Sequence, residues 1–183
     1  MKALLPALCS FALSALSPAQ TCREVVRDAS GRIVQTIDRQ KSAGGTVQAT
    51  TRDASGRIIG TATTNPNAGG SAQTTYRDAS GRMTGTASTQ PTTGASSRTT
   101  YRDASGRMAG SADTRTYHGS GTSTQYRDAS GRLSGSQTTN ASPTGSFTGT
   151  QRDASGRLTG GSSGSGKCQG TAAVPASPQG LKK

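Results

Sequence analysis

Residues 76–85 read YRDASGRMTG, and the hexapeptide at their centre, RDASGR, is the stretch that decides the fold. It occurs six times, beginning at every 25th residue from position 27 to position 152, with no insertion or deletion between copies. A fixed period of this length is the signature of a repeat array in which each unit packs on its neighbours. We therefore predict six equivalent units over residues 20–160.

Each unit is predicted to contain two strands and two turns. Asp followed three residues later by Gly is a type I turn signal, in which Asp caps the turn and Gly accepts a positive φ. Thr- and Tyr-containing runs on either side favour strands, and spacers such as Asn65-Pro66-Asn67 provide the second turn. The predicted turn residues are Asp28, Gly31, Asp53, Gly56, Asp78, Gly81, Asp103, Gly106, Asp128, Gly131, Asp153 and Gly156.

Two all-β architectures suit a strand-turn-strand unit of this kind. The constant unit length favours a β-solenoid, because hairpin loops at a sheet rim tolerate changes in length. The alternative is an antiparallel meander of twelve strands, open or closed on itself. Stacking places Arg77 between Arg52 and Arg102, and like charges opposite one another destabilise a sheet. We expect the solenoid, with neighbouring Asp columns offsetting this repulsion and with atypical first and last units acting as caps.

The composition also permits disorder, because residues 20–183 contain only thirteen Leu, Ile, Val and Phe. The constant spacing argues against disorder, since a disordered linker does not require a fixed unit length. The large apolar residues also recur at fixed positions of the unit. An aliphatic residue follows each hexapeptide at Ile33, Ile58, Met83, Met108, Leu133 and Leu158, and Tyr precedes three copies at Tyr76, Tyr101 and Tyr126.

The two ends of the chain indicate an exported protein. Residues 1–19 have the pattern of a signal peptide, with Lys2, a short apolar stretch and small residues before position 20. That stretch is shorter than the roughly 20 residues that span a bilayer. We expect residues 20–183 to be secreted, to the cell surface, the extracellular space or the periplasm. Residues 161–183 are predicted to be a flexible Gly/Ser/Pro-rich tail.

Cys22 and Cys168 bracket the array and are predicted to form a disulfide, as paired cysteines in exported proteins commonly do. In a stack of six units the two ends lie about 24 Å apart, at about 4.8 Å per unit. The tail then folds back along the array, or the array closes so that its ends meet, or the bond joins two molecules. The sequence leaves open whether the pairing lies within one chain or between chains.

The segment from Tyr126 to Gly135 resembles the YD repeat of Rhs-type proteins. Asp128, Gly131, Arg132 and Leu133 match that repeat in order and spacing, and Arg127 is one extra residue after the Tyr. The resemblance implies a β-strand scaffold of an exported surface or shell protein and no catalytic residue. The signal peptide and short repeats are also similar in architecture to curli-type fibre subunits.

An active site is not predicted. His118, the one histidine, lies in a polar spacer, and the abundant Ser and Asp recur in six equal copies, whereas catalysis needs one asymmetric arrangement. One Asp per unit provides fewer oxygen ligands than calcium requires. We expect no enzyme activity, no cofactor and no bound metal.

Charge is the remaining functional signal, because the chain carries a formal net charge of +12. A regular basic stripe attracts polyanions, and Arg suits phosphate and carboxylate recognition. The main hypothesis is an exported fibre or matrix subunit or surface-interaction protein that self-associates and displays this basic face. The alternative is a monomeric binding module for acidic polysaccharide, lipopolysaccharide or DNA. The predicted polyanion-binding residues are Arg52, Arg57, Arg77, Arg82, Arg102, Arg107, Arg127 and Arg132.

Overall fold

The computed structural model describes residues 20–117 and 121–166. These residues form twelve strands, with one short 3-10 turn at Ala68–Gly70 between the fourth and fifth. The strands are β1 Gln20–Asp28, β2 Ile33–Lys41, β3 Val47–Asp53, β4 Ile58–Pro66, β5 Ala72–Asp78, β6 Met83–Thr92, β7 Ser96–Asp103, β8 Met108–Thr116, β9 Gly121–Asp128, β10 Leu133–Ala141, β11 Phe147–Asp153 and β12 Leu158–Gly166.

The strands close into a single antiparallel barrel. Each strand pairs with the next in the chain, and β1 also pairs with β12, with Cys22 opposite Gly166 and Asp28 opposite Gly160. The all-β prediction is confirmed, and the β-solenoid prediction is wrong. The reason is local: the RDASGR turn reverses the chain within a few residues, and strands joined by so tight a turn must pair antiparallel.

The prediction that the first and last units are caps is also wrong, because a closed barrel has no end units. Val26 of the first unit lies opposite Ser162 of the last, and its other neighbour in the sheet is Gln35. The estimated separation of about 24 Å between the ends of the array is overturned by the same closure.

Each of the six hairpins that contain a hexapeptide has a β-bulge beside it. In the second hairpin, Thr51 pairs with Gly60 and Arg52 pairs with Ile58, so that Ile59 is the extra residue. The register shifts at the corresponding position in the other five hairpins. A bulge bends its strand and increases the local twist, and six equally spaced bulges distribute around the barrel the curvature that closure requires.

The glycine two residues after the aliphatic residue, Gly60 in the second unit, is required by a close approach between strands. A Cβ added to Gly60 would lie 2.9 Å from the carbonyl oxygen of Arg77, and one added to Gly135 would lie 2.7 Å from that of Arg152. Carbonyl oxygens of the neighbouring strand cannot move without breaking the sheet. Gly85 and Gly160 make equivalent close approaches, which explains why this position is glycine in units two, three, five and six.

The interior contains three tyrosines packed among small side chains. Tyr76 and Tyr101 are buried with Ala87 and Ala112, and Tyr126 packs against this cluster. Across each of the three hairpins the tyrosine lies opposite a glycine: Tyr76 opposite Gly85, Tyr101 opposite Gly110 and Tyr126 opposite Gly135. A second buried cluster consists of Val26, Ile37 and Ala49.

The aliphatic residues that follow the six hexapeptides, which we call the aliphatic column, lie on the outside of the barrel and do not contribute to the core. These six residues are 42–50% exposed. The bulge explains this position, because it pairs Ile58 with Arg52, whose side chain is 39% exposed. A band of exposed apolar residues therefore encircles the outer surface of the barrel next to the hexapeptides.

The predicted chain ends fall largely outside the described residues. β12 continues to Gly166, six residues into the segment predicted as tail. Residues 1–19, predicted as a signal peptide, and Cys168 lie outside the described residues. Cys22 is disulfide-bonded, and its pairing with Cys168 stays a prediction. The described part of the chain has no helix long and apolar enough to cross a membrane.

Candidate polyanion-binding rim

All six hexapeptides lie at one end of the barrel. Each copy joins an odd-numbered strand to the following even-numbered strand, from the β1–β2 connection to the β11–β12 connection. In an antiparallel meander these connections alternate with the others between the two ends. We call this end the rim, defined as residues 27–32, 52–57, 77–82, 102–107, 127–132 and 152–157. The predicted basic stripe is therefore a closed ring.

The predicted turn residues hold each hexapeptide in the same conformation. In the third copy, the backbone N–H of Gly81 donates to the carbonyl of Asp78, and Gly81 has a φ of 83°. The Asp78 Oδ1 atom accepts hydrogen bonds from the Ser80 N–H, the Ser80 hydroxyl and the Arg82 N–H. The other five copies repeat this geometry.

These hydrogen bonds lower the pKa of every turn aspartate. In five copies the largest cause is the serine hydroxyl, as with Ser80 at Asp78. For Asp153 the largest cause is the backbone N–H of Arg157. All six carboxylates therefore stay ionised in mildly acidic solution and keep their structural role.

The first arginine of each copy is also part of the turn. Its Nη1 atom donates to the carbonyl oxygen of the hexapeptide glycine, as from Arg77 to Gly81 at 2.9 Å. The equivalent bonds in the other copies span 2.8–3.1 Å. Of the predicted polyanion-binding residues, Arg52, Arg77, Arg102 and Arg127 are in this class.

The second arginine has a different environment. Its backbone takes part in the turn, but in residues 20–117 and 121–166 its side chain has no hydrogen bond and no ion pair. All six are exposed. This class contains Arg57, Arg82, Arg107 and Arg132 of the predicted set, together with Arg32 and Arg157, which the prediction omitted.

Two groups of ion pairs on the outer surface of the barrel make the six units of the ring electrostatically unequal. Asp38 accepts from Arg23 at 2.6 Å and lies 4.0 Å from Arg52. Three units further on, Asp113 accepts from Arg98 at 2.7 Å and lies 3.9 Å from Arg127. In the described residues, Arg52 and Arg127 are thus the two first-position arginines that lie near a carboxylate, and they belong to units three apart in a six-unit ring.

A groove of 460 Å³ separates two adjacent turns of the rim. Ile58 and Ile59 form its apolar part, with Arg57 and Asp53 at one side and the turn beginning at Asp78 at the other. The sequence predicted the basic ring but not this groove, because it depends on the bulge that places both isoleucines outside.

The interior contains a polar pair that the sequence analysis missed. Arg39 Nη1 donates to Glu24 Oε2 at 2.7 Å, and both side chains are about nine-tenths buried. Burial raises the pKa of Tyr126 to about 12, with a further contribution from Glu24. The signal was present in the sequence, because the positions equivalent to Arg39 in units two to five are all Thr.

The remaining predicted chemistry is limited. His118 lies outside the described residues. In the described part of the chain, no three His, Cys, Asp or Glu side chains cluster in a way that could hold a metal ion. No family model, no characterised protein and no solved structure matches the chain, so the resemblance to the YD repeat stays a prediction.

Proposed function

We propose that this chain is an exported module that binds anionic polymers through its rim. The observation that carries the proposal is the group of six second-position arginines, which are exposed and unpaired in the described structure and lie at one end of the barrel. The rim contains twelve arginines and six aspartates, a net charge of +6. Concentrating this charge in one ring raises the local potential above that of an extended stripe.

The spacing of the ring favours a polymer over a small anion. Neighbouring hexapeptides are two strands apart, and strands are spaced by about 4.8 Å, which separates equivalent arginines by roughly 10 Å. One small anion therefore contacts one turn, whereas a polymer contacts several turns at once. Once one turn is bound, the rest of the polymer is held at a high effective concentration near the neighbouring turns, so that overall binding can be tight although each single contact is weak.

The fibre or matrix hypothesis has less support. An open array self-associates through unpaired strand edges at its ends, whereas all twelve described strands of the barrel are paired on both sides. Self-association and a role as a fibre or matrix subunit stay predictions. We expect residues 20–183 to sediment as a monomer.

The test compares two double variants that remove the same charge. Arg57→Gln with Arg82→Gln removes two rim arginines, and Lys41→Gln with Arg115→Gln removes two cations near the other end of the barrel. Heparin serves as the polymer, and binding is measured by calorimetry between 50 and 200 mM salt. We expect the rim variant to bind at least tenfold more weakly and with a shallower salt dependence. Equal losses in both variants would refute a binding site at the rim.

A further inference from the structure

The groove between the second and third turns has both donor and acceptor chemistry. The Arg57 guanidinium makes no hydrogen bond and no ion pair in the described structure, although its charge contributes to the lowered pKa of Asp53, and it offers donors only. Asp53 and Asp78 use Oδ1 within their own turns, and their Oδ2 atoms accept no hydrogen bond from the described residues. A ligand that contacts all of these groups must itself carry both an anionic group and hydrogen-bond donors.

The apolar part of the groove adds a third requirement. Ile58 and Ile59 are 43% and 39% exposed, and both line the groove. The bulge residue is apolar and large in units one and two, Val34 and Ile59, whereas it is Thr84, Ala109, Ser134 and Thr159 in units three to six, so unit two has more apolar surface here than units three to six. The volume of 460 Å³ lies in the usual range for ligand sites, about 300–1,000 Å³.

We propose that this groove binds a uronate residue of an acidic polysaccharide. A uronate has a carboxylate for Arg57, hydroxyl donors for the free Oδ2 atoms and a face of C–H groups for the two isoleucines. The inference rests on the proposed function and names the class of polymer. The next residues of such a chain reach the arginine of the neighbouring turn, Arg82, about 10 Å along the ring.

Nucleic acid satisfies these groups less well. A phosphodiester group has no hydrogen-bond donor of its own for the aspartate oxygens, so that nothing offsets its repulsion by the two carboxylates, whereas the hydroxyl groups of a uronate offset the same repulsion. The residues that line the groove include no aromatic side chain, and stacking on aromatic side chains is the usual source of affinity for single-stranded bases. The same arginine can attract both polymers, but only a uronate carries hydroxyl donors for the carboxylates on the same residue as its anionic group.

Three single variants test the proposal, with a hexameric oligogalacturonate and a thymidine oligonucleotide of equal charge as probes. Ile59→Thr introduces the residue that units three and six have at this position, so that its fold is already tolerated by the barrel. Asp78→Asn keeps the Oδ1 acceptor of the turn and removes the free carboxylate oxygen. Asp128→Asn makes the same charge change at the fifth turn, away from the groove.

We expect the wild-type protein to bind the oligogalacturonate more tightly than the oligonucleotide. Ile59→Thr should weaken oligogalacturonate binding at least threefold and leave oligonucleotide binding unchanged. Asp78→Asn should weaken oligogalacturonate binding about tenfold, the loss of a hydrogen bond to a charged group. The same variant should strengthen oligonucleotide binding two- to threefold, as Asp128→Asn does.

The outcomes separate the two proposals. If the wild-type protein binds neither probe, nor heparin, the proposed function itself fails. If it binds both probes but Asp78→Asn strengthens both, or if the oligonucleotide binds more tightly, the rim is a general polyanion site. The uronate assignment is then overturned while the proposed function stands.

Discussion

Glu24 and Arg39 form an ion pair inside the barrel, with 2.7 Å between Oε2 and Nη1. They replace the arrangement of the middle units, where threonines of adjacent hairpins hydrogen-bond, as Thr64 does with Thr74 at 2.8 Å. Two charges in this position cost more to desolvate than two hydroxyl groups, and each depends on the other for compensation. The pair makes the first unit different from its repeats.

Breaking this pair on one side should destabilise the barrel strongly. Arg39→Met leaves Glu24 buried without its cation, and we expect a loss of about 3–5 kcal/mol in the free energy of unfolding. The measurement is urea unfolding followed by circular dichroism. The double variant Glu24→Leu with Arg39→Met removes both charges and should recover most of the loss. A single variant as stable as the wild type would contradict a buried pair.

Adding a methyl group at the close approach between strands should also destabilise the fold. A Cβ at Gly85 would overlap the carbonyl oxygen of Arg102, and overpacking against backbone typically costs about 1–3 kcal/mol. Gly44→Ala is the control, because its Cβ would have only the Ser42 hydroxyl at 4.0 Å as a neighbour. We expect Gly85→Ala to lower the thermal midpoint clearly and Gly44→Ala to leave it unchanged. Equal midpoints would argue against the observed strand spacing.

The hexapeptide glycines are required because their backbone has a positive φ, and not because a larger side chain would lack space. Gly81 has a φ of 83°, and a Cβ there would meet nothing within 4 Å. Gly81→Val should cost about 1–2 kcal/mol through conformational strain alone, and Gly81→Asn should cost less, because Asn tolerates positive φ. Valine at all six positions should prevent folding, since the summed strain is comparable to the stability of a typical domain, about 5–15 kcal/mol. A β-type circular dichroism spectrum of the six-valine protein would refute this role.

The six turn aspartates predict how stability depends on pH. Their folded-state pKa values are lowered by hydrogen bonds, whereas an aspartate in an unfolded chain has a pKa of about 3.9. A lowered folded pKa contributes stability that is present above the unfolded pKa and is lost as the pH falls through the folded value. The thermal midpoint should be level between about pH 7 and 5 and fall below about pH 4.

The matched variant for this pH dependence replaces all six turn aspartates by asparagine. Asparagine keeps the Oδ1 acceptor of the turn but does not titrate. We expect its thermal midpoint to fall less steeply below about pH 4. An identical acid transition in both proteins would place the titrating groups elsewhere.

The hexapeptide predicted much of the local structure. Its Asp and Gly residues indicate a tight turn, and the surrounding Thr and Tyr indicate strands, because turn chemistry and strand propensity act over a few neighbouring residues. The recurrence of Arg likewise indicated a regular basic surface. The free and the bonded arginines were not distinguished, since that difference depends on how each guanidinium lies relative to the folded turn.

What the sequence by itself determined was the repeating unit: its turn, its strands, its length and its positive charge. Only the tertiary structure decided that β1 pairs with β12, that the arginines form a ring and that the aliphatic column lies outside. Closure and inside-outside alternation depend on pairing between residues distant in the chain and on a bulge that changes the alternation by one residue. A periodic pattern fits a coil and a closed meander equally well, because each repeats its side chains at the same interval, and only the sum of the long-range contacts distinguishes them.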